Sequence, residues 1–136
     1  MNLNCYLTFN GDCEQAMNFY SQALNGTIQY MQRFGESPME IPETAKNRVM
    51  HAVLSFGDNV LMASDSMPDF PVQPGTHCSL SLNLTSGDEI ERVFGAISEG
   101  GNVTMPLEDT FWGARFGMCT DRFGVNWMFN YDLPKN

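Results

Sequence analysis

The sequence predicts an α+β domain built from two tandem βαβββ modules that form a sandwich around a shared cavity. Two observations predict it. A strand, a helix and three further strands follow one another twice along 136 residues, which marks an internal duplication. The apolar stripes of the two helices also match, Ala16, Phe19, Tyr20, Ala23 and Gly26 corresponding to Ile90, Val93, Phe94, Ile97 and Gly100. Each half is too small to bury both faces of its own sheet, so pairing the halves leaves a hollow lined by the faces that carry no helix. The chain therefore reads as one domain over 1–136, with module one at about 1–66, a linker at about 66–75 and module two at about 76–136.

Leu3 to Phe9 alternates apolar and polar residues and reads as the first strand. GDCEQAMNFYSQALNG at 11–26 is the first helix, with Asp12 as its expected N-cap, Glu14 and Gln15 in the first turn, and Gly26 as its stop. Thr27 to Phe34 is β-rich. The following GESPMEIPETAKNR carries two prolines and reads as a loop. Val49 to Phe56 and Val60 to Asp65, joined by Gly-Asp-Asn, form a hairpin. Three prolines and a glycine in SMPDFPVQPG exclude regular structure at 66–75.

The second round opens at His77 to Leu84, where Leu80, Leu82 and Leu84 alternate with His77, Ser79, Ser81 and Asn83. SGDEIERVFGAISEGG at 86–101 is a helix with a capping box from Ser86 and Glu89. Strands follow near Asn102 to Met105, Ala114 to Thr120 and Val125 to Tyr131, the last two joined by the turn DRFG at 121–124.

Composition narrows the function. The net charge is -9, and the seven basic residues are scattered. Phosphate backbones and anionic bilayers both select clustered Lys and Arg, so neither nucleic acid nor a membrane surface is an expected partner. The first residues, MNLNCYLTF, lack the basic and apolar regions of a secretory signal, and no apolar run reaches the ~20 residues that span a bilayer; the cytoplasm is the expected location. Cys5, Cys13, Cys78 and Cys119 have no CxxC spacing and read as reduced thiols. Ten Met and ten Phe suit a soft, aromatic interior or an apolar pocket. No GxSxG and no P-loop is present.

Several strings resemble one superfamily. GDCEQAMNFYSQALNG, LMASDSMP at 61–68, TFWGARFG at 110–117 and TDRFGVNWMFN at 120–130 are similar to the vicinal-oxygen-chelate superfamily of glyoxalase I, extradiol dioxygenases and the fosfomycin and bleomycin resistance proteins. Within it they resemble the branch named after the phosphonate-operon protein PhnB, over nearly the whole chain. Some relatives there carry the description of a demethylubiquinone methyltransferase, but no glycine-rich loop follows a strand here to hold a methyl donor.

The resemblance implies four ligand positions, usually His or Glu, on facing strands, where an ion acts as a Lewis acid. Carried over, they fall at Cys5; at Met62, or Ser64 if the loop differs; at His77, or Ser79 with a two-residue slip; and at Met128, where a metal-using member has Glu. Thioethers bind hard or borderline divalent ions poorly, and only Cu(I) would suit such a set. The expectation is a cavity with no metal and no cofactor, binding a small, partly aromatic or apolar molecule. A metal-dependent lyase, isomerase or dioxygenase is the alternative, with ligands drawn from His51, His77, Asp65 or Glu108.

The other candidate cavity residues are Phe111 and Trp112, which either bury area or line the cavity mouth; Arg115, which either holds an anion or stands solvated; and Trp127, which is either wall or core. Asp121 and Gly124 belong to the turn, and Asp65, Asp69, Glu108 and Asp109 read as surface charge. His51 or His77, if it faces the cavity, could exchange a proton near neutral pH. Resemblance also implies a homodimer.

Overall fold

A computed structural model describes residues 1–135. The chain divides into two compact units, the first over Met1–Gln73 and the second from Pro74 onward. The first holds β1 (Cys5–Phe9), α1 (Cys13–Ala23), β2 (Thr27–Arg33), β3 (Val49–Phe56) and β4 (Asn59–Asp65). The second holds β5 (Leu80–Asn83), α2 (Gly87–Ser98), β6 (Asn102–Asp109), β7 (Ala114–Thr120) and β8 (Asn126–Asp132). The sheets have the same topology, β1-β4-β3-β2 and β5-β8-β7-β6, with the first pair of each parallel and the rest antiparallel. Two βαβββ modules are thus present, as the duplicated pattern predicts. Between β2 and β3 the proline-bearing segment forms two short 3-10 turns, Phe34–Glu36 and Glu43–Ala45. Among the described residues, no helix is long and apolar enough to cross a membrane.

In the first unit α1 buries Ala16, Met17, Tyr20 and Ala23, and the sheet meets it with Ala52, Leu54, Leu61 and Ala63. Alanines bring helix and sheet close, and the larger side chains fill the remainder. Each fully buried Leu or Met contributes roughly 1.5–3 kcal/mol. In the second unit Ile90, Val93 and Ile97 lie on Cys119, Trp127 and Phe129, and the Phe94 and Phe129 rings meet edge to face at 5.1 Å.

Both ends of α1 differ from the expectation. Asp12 occupies the N-cap, but its side chain makes no capping hydrogen bond. Asp65, at the far end of β4, does that work: its Oδ1 accepts from Gly11 N at 2.8 Å and Cys13 N at 3.0 Å, and its Oδ2 from Val49 N at 2.8 Å. Asp65 is therefore a buried structural carboxylate and not surface charge. At the other end, Asn25 takes the left-handed conformation (φ 52°) expected of Gly26. Gly26 is needed for space, since a Cβ there would lie 2.7 Å from the Ser55 carbonyl oxygen. The second unit repeats this with Gly100 left-handed (φ 76°) and Gly101 packed against the Thr120 carbonyl. The modules thus align one residue later at their helix ends than the helical stripes suggest.

Ser86 caps α2 as expected, its Oγ accepting from Glu89 N at 3.1 Å. The return half of the box is displaced by one residue, because Glu89 Oε1 accepts from Thr85 N at 2.9 Å. β6 runs to Asp109, beyond the expected Met105, and passes through Pro106. It is an edge strand, and its register with β7 breaks between Met105 and Glu108, where a residue without an N–H does least harm.

Candidate functional site

In each unit one face of the sheet is covered by its helix and the other is not. The uncovered face is where candidate binding side chains stand. In the first unit, register places Tyr6, Met62, Val53 and Tyr30 in one row across all four strands, since Tyr6 pairs with Met62, Met62 with Val53, and Val53 with Tyr30. His51 lies two residues along β3 on the same face and pairs with Gln32. The Tyr6 hydroxyl and His51 Nδ1 are 3.0 Å apart. The Tyr6 ring stacks on the imidazole at 5.6 Å and 19°, and the Tyr30 ring tilts toward it at 5.9 Å and 49°. The Tyr30 hydroxyl donates to Gln32 Oε1 at 2.6 Å. Both tyrosines remain 46% exposed although their rings are fixed, so their aromatic surface is available to a ligand.

In the second unit the corresponding row is Ser81, Met128, Met118 and Met105. Beside it lies a cleft of about 180 Å³ bordered by Thr76, Ser79, Thr104, Met118, Cys119, Thr120, Asn126 and Trp127. Asn126 Nδ2 donates to the Gly75 carbonyl at 2.7 Å and the Cys78 carbonyl at 3.2 Å, which fixes the irregular chain ahead of β5. The turn from β6 to β7 closes on Thr110, whose Oγ1 donates to the Ala114 carbonyl at 2.9 Å, with Gly113 at φ 90°. It presents Phe111 and Trp112 to solvent, 98% and 58% exposed, with Trp112 edge-on to Phe116 at 6.1 Å.

The residues named from sequence separate accordingly. Met62 and Met128 lie mid-strand on uncovered faces. Phe111 and Trp112 sit together on an exposed turn, their ring centroids 5.0 Å apart in an edge-to-face pair, and are not core. His77 is exposed in the irregular segment before β5. Cys5 pairs with Leu61 and shares the helix-facing side with Leu7 and Phe9, opposite to Met62; a count one residue out reverses the face in a strand. Trp127 alternates with Met128 and so faces α2: it is 1% exposed, and its Nε1 donates to Asp121 Oδ2 at 2.9 Å. Its ring belongs to the core, while the residue also borders the cleft beside Met118. Arg115 also turns to the helix side, its Nε donating to Glu91 Oε1 at 3.1 Å and its Nη1 to Asp109 Oδ1 at 3.2 Å. Two carboxylates already neutralise it, which removes it as an anion anchor.

Sequence reasoning missed Tyr6 and Tyr30 as site residues. Strand alternation alone could assign Tyr6 a face. Its meeting with His51 depends on β1 pairing with β4, which no local pattern reveals.

The donor groups do not fit a divalent ion. Among the described residues, no three of His, Cys, Asp or Glu converge. Met62 and Met128 offer only thioethers, weak ligands for hard and borderline ions. Asp65, the nearest carboxylate in sequence to Met62, is occupied by three backbone N–H groups. The buried thiols are no better placed for chemistry. Burial, with Asp65 nearby, pushes Cys13 up to about 12, and burial, with Asp121 nearby, pushes Cys119 up to about 12. Both stay protonated and unreactive near neutral pH.

Comparison with known proteins agrees with this architecture. Residues 2–129 match the family model described as 3-demethylubiquinone-9 3-methyltransferase. Protein YjdN of Escherichia coli K12 is 31% identical, over 96% of this chain and 95% of its own. Protein PA1353 of Pseudomonas aeruginosa, known from a crystal structure, is 48% identical, with a TM-score of 0.90 over 98% of this chain and 99% of that one. A PhnB protein from Bacillus cereus, itself titled a putative 3-demethylubiquinone-9 3-methyltransferase, is 27% identical, with a TM-score of 0.78 over 96% and 99%. The family match spans nearly the whole chain, the same fold is seen in a glyoxylase/bleomycin resistance protein/dioxygenase domain from Frankia sp. (12% identical, TM-score 0.68 over 97% of each chain), and the chain is a member of the family described as 3-demethylubiquinone-9 3-methyltransferase.

Proposed function

We propose that this protein binds a small, planar, partly aromatic molecule on the sheet faces opposite its helices, with no metal ion taking part. One observation carries the reading: at mid-sheet on each uncovered face stands a methionine, Met62 or Met128, with aromatic rings on neighbouring strands or turns. Thioether and aromatic surface suits dispersion and stacking with an apolar ligand, not chelation of paired oxygens. The protein acts as a cytoplasmic homodimer in this reading.

Methyl transfer, the activity in the family's description, needs a bound methyl donor. The connections from strand to helix are Asn10-Gly11-Asp12 and Leu84-Thr85-Ser86, neither of them glycine-rich. At the first, Asp65 already takes the N–H groups of Gly11 and Cys13. The binding reading is therefore preferred.

The test is a thermal-shift screen of EDTA-treated protein against planar aromatic compounds. Compounds that raise Tm without added metal are the expected result. Stoichiometric zinc, nickel, manganese or iron in protein purified without chelator, together with hits that appear only when that metal is restored, would contradict the proposal and favour a metal-dependent lyase, isomerase or dioxygenase.

A further inference from the structure

The first unit carries an arrangement more specific than an apolar surface. Along β1-β4-β3-β2 the two tyrosines stand at the ends of one row, and the residues between them, Met62 and Val53, are apolar. The row is apolar at its centre, and the tyrosine rings lean from its two ends toward His51. His51 stands beside it, in ring contact with both tyrosines. Its Nδ1 is taken by the Tyr6 hydroxyl at 3.0 Å, which fixes the rotation of the imidazole. Nε2 is left with no hydrogen-bond partner from the described residues.

Among the described residues, those that the β1–β4 register places on this face carry no Asp, Glu, Lys or Arg. Arg33 is turned to Glu14, which it meets at 2.8 Å, and Arg48 Nη1 donates to the Ser66 carbonyl at 2.8 Å. The polar neighbours are neutral: Gln32, held by Tyr30, and Ser64 and Thr8, which pair with each other. Nothing here compensates a carboxylate or phosphate, and a fixed imidazole nitrogen beside an apolar floor asks for one oxygen on a flat, uncharged molecule.

We propose that Tyr6, Tyr30 and His51 form the binding site for an uncharged planar aromatic molecule bearing a phenol or carbonyl oxygen. The ring lies on Met62 and Val53 between the tyrosines, and the oxygen is held by His51 Nε2. Tyr6 is a positioning residue, since it acts on the ligand through the imidazole it orients. This assignment rests on the binding function proposed above and names its ligand class and its polar anchor.

The chain has two histidines, and His77 lies exposed in the other unit, so it serves as an internal control. The experiment titrates 4-hydroxybenzaldehyde into the full chain and follows the imidazole resonances of both histidines by NMR. The expected result is a saturable shift at His51 with none at His77. Tyr6→Phe should weaken binding roughly five-fold, the loss of one orienting hydrogen bond, and His51→Gln should weaken it further. Each variant's backbone spectrum reports whether it is folded. If the probe binds but moves neither His51 nor the affinity of the two variants, the assignment is wrong while the binding function stands. If 4-hydroxybenzaldehyde does not bind although other aromatics raise Tm, the ligand class is wrong. If no aromatic binds, both proposals fall together.

Discussion

Asp121 Oδ2 accepts a hydrogen bond from Trp127 Nε1 at 2.9 Å, joining the turn before β8 to the largest side chain in the second core. Its Oδ1 accepts from Phe123 N at 2.8 Å and Val125 N at 3.0 Å. One carboxylate therefore shapes the turn and satisfies a buried indole. Trp127→Phe should lower stability by about 2–4 kcal/mol, through lost packing and a buried carboxylate short of a donor. Trp112→Phe, on the exposed turn, should change it by less than about 0.5 kcal/mol. Urea unfolding of the two variants checks the contrast.

Asp65 plays the matching part in the first unit. Asp65→Ala leaves three backbone N–H groups without an acceptor and should cost roughly 3 kcal/mol. Asp12→Ala should cost less than about 0.5 kcal/mol, because its side chain caps nothing and contributes only through the helix dipole. Equal losses in the two variants, measured by chemical denaturation, would show that the N-cap side chain does the work assigned to Asp65.

The cysteines should divide by accessibility. Cys78 is exposed and should react quickly with a thiol reagent at pH 8, whereas Cys13 and Cys119 should react only after unfolding. The raised thiols also set a direction with pH. In the unfolded chain a thiol loses its proton near pH 9, and in the native chain Cys13 and Cys119 keep theirs up to about 12. Above pH 9 the unfolded state binds fewer protons, so stability present below that point is lost as pH climbs toward 12. The urea midpoint should fall over this range, and less steeply in Cys119→Ala.

Arg115 should behave as a clip and not as a ligand anchor. It joins Glu91 on α2 to Asp109 on β6 in partly exposed ion pairs. Arg115→Gln should cost less than about 1 kcal/mol, with the loss shrinking as salt is added. It should leave the affinity for any aromatic hit unchanged by calorimetry.

The elements were legible in sequence because each helix repeats its apolar stripe and each hairpin carries its own turn chemistry. Tertiary relationships were less so. Asp65 reads as a polar residue at a strand end, and nothing local says that α1 brings its first N–H groups there. Trp127 and Met128 are neighbours with opposite fates, and only the partner strands decide which of them faces α2. Cys5 shows the same sensitivity: alignment to distant relatives is good to a residue or two, while a strand changes face with every residue. The strand expected near Asn102 to Met105 continues through Pro106 because it lies at an edge.

The most direct test of binding without metal is calorimetric titration of the best aromatic hit into EDTA-treated protein, repeated with one equivalent of zinc or nickel present. The account predicts the same dissociation constant and a stoichiometry of one per chain in each case. Binding that requires the added ion, or that tightens ten-fold or more with it, would contradict it.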